Sequence, residues 1–336
     1  MTTSKARSTV GTLVKLGVVA LLLYFLGKKG LLSISEMKRV LEFPNLLLAA
    51  LGISAICTAL GIYRWKLLLL GQGIQLSIGR AIQLSLLGNF FNLALPGAVS
   101  GDLVKAFYIA KEFPGKRGHA FGSILFDRIV GVSGLVLVSA IAMIAGYGPL
   151  HESHVFQAVQ WFVLFSGLGV LGFFLYLFFM PESSDPALRL LQALQKKIGA
   201  VASIIRIYEG VRNYHRHRWM TLSSLLLSCV IHVLAATNCV LFTIALEPTS
   251  GALNFLGLYA LAPLGLLATA LPLAPAGVGT GHAAFSWLYL LLGYKTGANV
   301  FNLVVVYQII WSALGGIVYL RYKAEIPKMA YAPEQS

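Results

Sequence analysis

The chain has 336 residues, of which 57% are hydrophobic and only 11% charged, against about 45–50% and about 25% in an ordinary soluble domain. That balance excludes a soluble globular enzyme, because a mean hydropathy of +0.79 supplies more apolar surface than one internal core takes up. The 26 basic against 12 acidic residues, a net charge of +14, read as cytoplasmic loops made basic by the positive-inside rule and by anionic lipid head groups, not as a nucleic-acid surface.

A spanning helix needs about 20 mostly apolar residues. Six stretches qualify in chain order, at 11–27, 44–63, 129–150, 155–180, 219–246 and 299–320. Lys5, Arg7 and Lys15 lead into the first, and no small-x-small cleavage pattern follows it, so it reads as an uncleaved span. Two other apolar stretches carry breaks. The first, 81–101, contains Asn89, Asn92, Pro96 and Gly97; the second, 248–294, is uncharged but interrupted by Pro263, Pro272 and Pro275. Each predicts a hairpin of broken helices, either re-entrant or fully spanning. The segment 185–218 predicts one amphipathic helix on the cytoplasmic leaflet. Asp185 caps it, Pro186 opens it, Leu188, Leu191, Leu194, Ile198, Val201, Ile205, Tyr208 and Val211 form its apolar face, and basic residues fill the rest. A polar tail occupies 322–336.

With the N-terminus inside and each hairpin entering and leaving by one face, the inside holds all of the basic residues except Lys28, Lys29, Lys38, Arg39 and Lys295. The expected fold is therefore an all-α polytopic protein of the cytoplasmic membrane with both termini inside. It has six spanning helices and two hairpins, arranged as an inverted repeat of 1–150 and 151–321. The hairpin turns share a grammar: Leu95-Pro-Gly-Ala-Val-Ser-Gly-Asp102 and Leu273-Ala-Pro-Ala-Gly-Val-Gly-Thr-Gly-His282. In both, a proline ends an apolar run, small residues follow, and a polar residue opens the next helix. Inverted repeats with broken helices near the midplane are a transporter design, and half-helix N-termini suit anions. The hinge candidates are Pro96, Gly97, Gly101, Pro275, Gly277, Gly279 and Gly281.

Among single residues, Asp102 follows the first turn directly. An acid there is costly unless it faces water or a partner, and it also suits an N-cap for a helix beginning near Leu103. Asp127 and Arg128, at the opening of the span at 129, form either an ion pair with each other or, through Arg128, a bidentate phosphate site. Arg64, in Arg64-Trp-Lys66, reads as an interfacial anchor or a head-group contact. Asn89 and Asn92 share one helical face, and His282 opens the second half-helix. His232, alone in an apolar span, reads as a packing histidine. Cys57, Cys229 and Cys239 show no Cys-x-x-Cys pairing. No zinc or magnesium motif is present, so neither metal nor cofactor is expected.

Arg64-Trp-Lys-x-Leu-Leu, the run from Gly88 to Asp102, Asp127-Arg128 and the run from Leu271 to Gly281 together resemble the lysylphosphatidylglycerol synthase transmembrane domain family. The resemblance covers nearly the whole chain in order. Members usually carry Gly-Gly-Asp at the first turn, where this chain has Ser100-Gly101-Asp102. The resemblance implies a flippase for aminoacylated phosphatidylglycerol. The aminoacyl-transferase domain of the bifunctional members has no counterpart in these residues, so lipid synthesis is not implied. The expectation is a non-enzymatic flippase for an anionic or aminoacylated phospholipid, or a polyprenyl-phosphate-linked lipid, with Asp102, Arg64, Arg128, Asn89, Asn92 and His282 lining its path. An intramembrane lipid-modifying transferase and an accessory subunit of an envelope-lipid assembly are the alternatives. The partners are lipids and not nucleic acid, and a homo-oligomer is left open.

Overall fold

The computed structural model describes residues 40–94, 100–146, 154–181, 184–199, 201–247, 253–269 and 277–322, which are nearly all helical and contain no strand. The expected span 11–27, the turn residues Pro96, Gly97, Pro272 and Pro275, and the tail from 323 lie outside them. The helices are α1 (Pro44–Gly71), α2 (Ile78–Ala94), α3 (Ser100–Glu112), α4 (Arg117–Ala145), α5 (His154–Phe179), α6 (Pro186–Gln195), α7 (Val201–Arg212), α8 (Arg218–Leu246), α9 (Phe255–Thr269), α10 (Thr280–Leu290) and α11 (Gly297–Tyr322). A 3-10 turn at Asn213–His217 joins α7 to α8. By length and composition, α1, α4, α5, α11 and the continuous stretch Ile204–Leu246 can each cross a membrane. The protein is thus a multi-pass membrane protein. On α5, Trp161, Phe162, Phe165, Leu168, Leu171, Leu175 and Phe179 are exposed, which is the outward face that a bilayer covers.

Helix α4 is central, packing against α1, α3, α5, α7, α8 and α9. It begins at Arg117, a dozen residues before the expected opening at 129, so Asp127 and Arg128 sit within it. Likewise α1 runs on past Arg64 to Gly71. Charge does not stop these helices because Arg64, Asp127 and Arg128 each find a partner on a neighbouring helix. Both hairpins are present as packed helix pairs, α2 with α3 and α9 with α10. Pro263 does not break the second one: it lies inside α9. Its missing N–H leaves the Tyr259 carbonyl without its helical donor, and one residue on, Ser139 Oγ of α4 donates to the Ala260 carbonyl and ties this turn of α9 to the central helix.

The expected single helix over 185–218 is two helices folded back on each other. Asp185 does cap α6, accepting from Leu188 N at 3.0 Å, with Pro186 at its first position. The chain then turns through Lys196–Gly199, and α7 returns so that Tyr208 and Arg212 meet the same carboxylate. Tyr208 and Tyr176 donate to it, and Arg212 Nε lies 2.9 Å away. Arg212 also donates to the carbonyls of Leu177, in the last turn of α5, and Met180, just beyond its end. A lone amphipathic helix would leave Asp185 in water; the return of α7 instead buries it to 1% exposure.

Burial pushes the Asp185 carboxyl up, but hydrogen bonds from Tyr176, Leu188 N and Tyr208, with the Arg212 charge, outweigh it. They hold the group below the usual carboxylate range. A depressed carboxyl stabilises the fold above its ordinary value of about 3.9, and this stabilisation is lost as pH falls through the folded value. Asp185→Asn should therefore cost about 2–3 kcal/mol at pH 7, read as a lower thermal midpoint in detergent. The gap to wild type should close below about pH 4; a gap unchanged at pH 3 would contradict this account.

Candidate functional site

A cavity of about 600 Å³ opens among α1, α2, α3, α4, α8, α9 and α11. Its lining includes Arg64, Asn89, Asn92, Asp102, Lys105, Asp127, Arg128 and His232, and it reaches Thr269 and Gly277 at the tip of the second hairpin. It therefore touches both hairpins. Its charges form two ion-pair groups, both anchored on α4. Arg128 Nε lies 2.6 Å from Asp102 Oδ2 of α3, whose other oxygen meets Lys105 Nζ at 3.0 Å. Arg64 Nε donates to Asp127 Oδ1 at 2.9 Å, and its Nη1 donates to Ser228 Oγ of α8 at 3.0 Å.

Asp127 and Arg128 thus pair with different helices, not with each other. The reason is geometric: successive helical residues point about 100° apart and do not face one another. Three cations and two carboxylates leave one surplus positive charge in the site. Asp102 is 4% exposed, so an isolated charge there would be costly, and two cations hold it. The Arg128 side chain is 44% exposed, against 11% for Arg64 and 13% for Lys105. Arg128 is therefore the cation most open to an incoming anion. Lys105 also sits over the Trp65 ring, 4.8 Å from its centre.

Asp102 is not the helix cap. Helix α3 starts at Ser100, and Asp102 lies in its first turn, where the dipole favours an acid. Asn92 of α2 performs the capping, its Oδ1 accepting from Gly101 N at 2.8 Å, while Ser100 Oγ donates to the Phe91 carbonyl. Gly101 allows this closure, since a methyl there would overlap the Gly88 carbonyl oxygen. In the second hairpin Gly277 and Gly279 take φ of +69° and +93°, conformations that favour glycine. Gly281 makes room for the Phe301 ring. His282 is not among the lining residues. Its Nδ1 accepts from Gly279 N and its Nε2 faces Asn302 Oδ1 at 2.8 Å, so it fixes the turn from behind.

Sequence reasoning did not assign Lys105, Asp127, His232, Asn238 or Trp311 to the site. Lys105 was legible in principle, one helical turn beyond Asp102. His232 and Asn238 lie in an apolar span whose neighbours no sequence pattern reveals. His232 Nε2 meets the Gly131 carbonyl at 2.9 Å, on the stretch of α4 that faces Arg64.

Arg64 and Asp127 form the clamp between α1 and α4. Arg64→Ala and Asp127→Ala should each destabilise the detergent-purified protein by about 2 kcal/mol, with the double variant less than additive by at least about 1 kcal/mol. Additive losses in thermal midpoint would show that the pair is not coupled. Gly101→Val should lower the midpoint further than Gly79→Val, whose site is open, because only the former drives α2 and α3 apart.

No curated protein and no solved structure matches the chain. The family model described as the lysylphosphatidylglycerol synthase TM region matches residues 12–318. That span contains every charged residue of the cavity and both hairpins, and the chain belongs to this family.

Proposed function

We propose that this protein carries a lipid with a phosphate-bearing head group, an anionic or aminoacylated phospholipid or a polyprenyl-phosphate-linked lipid, between the leaflets of its membrane. The head group travels through the cavity while the acyl or prenyl chains stay in the bilayer. One observation carries the reading: in a chain only 11% charged, five charged side chains converge on one cavity that joins the two hairpins. A phosphate is expensive to move through hydrocarbon. The cavity replaces its water with Arg128, Arg64 and Lys105, and offers Asn89, Asn92 and Asp102 to the hydroxyl or amine of the head group.

The cavity's dimensions fit this use, since pockets of about 300–1,000 Å³ take a small-molecule-sized group. Arg64 lies seven residues before the end of α1, about 10 Å in from that end. The charged end of the cavity is thus set beneath the face that carries the basic α6–α7 pair. On the positive-inside rule that face is cytoplasmic, and the basic pair gathers anionic lipid beside the entrance.

The test is head-group movement in proteoliposomes, read by dithionite bleaching of a fluorescent lipid. Arg128→Ala and Asp102→Ala should each slow it by about tenfold or more, the loss of one charge-assisted contact. Unchanged movement in both would overturn the assignment of the site. Chemical alteration of the lipid without movement would turn the reading toward an intramembrane transferase.

A further inference from the structure

Helices α1 and α8 run antiparallel, and three contacts set their register: Arg64 to Ser228, Cys57 Sγ to the Ile231 carbonyl, and Asn238 Nδ2 to Ser54 Oγ at 2.9 Å. Ser54, Cys57, Arg64, His232 and Asn238 all line the cavity. The cavity therefore follows this seam from the ion pairs toward Asn238. His232 is four residues beyond Ser228, about 6 Å along the axis, and Asn238 is ten residues beyond it, about 15 Å.

Buried polar atoms are normally paired, and unpaired ones call for an explanation. Several unpaired atoms in this protein belong to residues of this cavity. Near the cations, the Nε1–H groups of Trp65 and Trp311 meet no acceptor among the described residues. Trp65 lies under Lys105, and Trp311 is next to Ser312, which bonds the Asn89 carbonyl. Further along the seam the unmatched atoms are acceptors. The Gly131 carbonyl only accepts, so His232 Nε2 carries the proton and donates, leaving Nδ1 as a lone pair. Asn238 commits its amide to Ser54, which leaves Oδ1 as the open end, and Asn238 is only 8% exposed. Neither acceptor has a donor among the described residues.

The cavity is therefore graded: cations and donors at one end, neutral acceptors along α8. We infer that His232 Nδ1 and Asn238 Oδ1 form an acceptor station for hydroxyl or ammonium donors on the head group whose phosphate is held at Arg128 and Arg64. A head group of two or three carbons spans the turn between phosphate and His232. His232 sets selectivity for lipids that carry a donor just beyond the phosphate over lipids that carry none, and Asn238, about 9 Å further along α8, extends the acceptor row toward longer head groups. The inference rests on the proposal that a phospholipid head group enters this cavity.

The probes are two short-chain phosphodiesters of equal charge: dihexanoyl-phosphatidylglycerol, with head-group hydroxyls, and dihexanoyl-phosphatidylmethanol, with none. Binding to the full-length protein in detergent is followed by quenching of tryptophan fluorescence. Wild type should prefer the glycerol lipid by at least about fivefold, the worth of one or two neutral hydrogen bonds. His232→Leu should abolish that preference by weakening the glycerol lipid alone, whereas Asn238→Leu, about 9 Å further along α8, should leave it intact. His232→Gln, which can donate to Gly131 and still present an oxygen, should keep it. Arg128→Ala should weaken both lipids alike. Equal binding of the two lipids by wild type would overturn the inference, as would a His232→Gln variant that behaves like His232→Leu. A binding preference without movement in proteoliposomes would refute transport and leave the acceptor station standing; movement without a preference would do the reverse.

Discussion

A carboxylate in an apolar interior persists only with counter-charge in contact, and Asp102 meets that requirement in a way that organises the helices around it. Lys105 comes from its own helix, one turn on, but Arg128 comes from α4. Satisfying the buried acid therefore pins the first hairpin to the central helix. The preceding residue of α4, Asp127, faces another direction and pins α1 through Arg64. Two adjacent residues thus clamp two different helices. Buried pairs of this kind add little net stability, because desolvation offsets the attraction. Their effect is to specify one arrangement, since any other packing would leave at least one charge unpaired.

Clamps of this type need close backbones, and in a bilayer no hydrophobic driving force brings helices together. Small residues perform that task here. A methyl at Gly134 would overlap Ser228, and one at Gly315 would overlap the Leu86 carbonyl. The approach at Gly134 holds α8 against α4 on the side where Ser228 reaches Arg64. The approach at Gly315 holds α11 against α2, where Ser312 reaches the Asn89 carbonyl. Tight contacts on the rim and bulky polar side chains in the middle leave an open volume between the helices, not a filled core.

The sequence pattern revealed the long helices from α1 onward that length and hydropathy define, and a packed helix pair at each place where Pro and Gly interrupt an apolar run. It also revealed Asp185 as a cap, because Asp-Pro before an apolar periodicity has a local cause. It failed where the deciding contact was distant. The fold-back of α7 onto α6 follows from Tyr208 and Arg212 reaching Asp185, which no spacing announces. The partners of Asp127 and Arg128 follow from helix packing, and adjacency in sequence suggested the wrong pair. Pro263 reads as a break, yet a serine on another helix bonds a carbonyl beside it. His282 and His232 exchanged places for the same reason. The histidine beside a turn motif caps that turn, and the isolated one in an apolar span faces the cavity.

The two hairpins meet that cavity with unlike chemistry, and this bears on how a bound head group could leave it. The first supplies Asn92, Asp102 and Lys105; the described lining of the second supplies Thr269 and Gly277 without a charge. Strong charge binding at both ends would trap a lipid, since passage needs a site attractive enough to enter and weak enough to release. Under the proposed transport reading, charge exchange is confined to one end and falls chiefly to Arg128, the most exposed of the three cations. A phosphate arriving there competes with Asp102 for Arg128, while Lys105 stays on the carboxylate. Asp102 is then never left without a counter-charge, so the exchange avoids the large cost of a bare buried ion. On that reading, the clamp that fixes the fold is also one that a substrate can open and reclose.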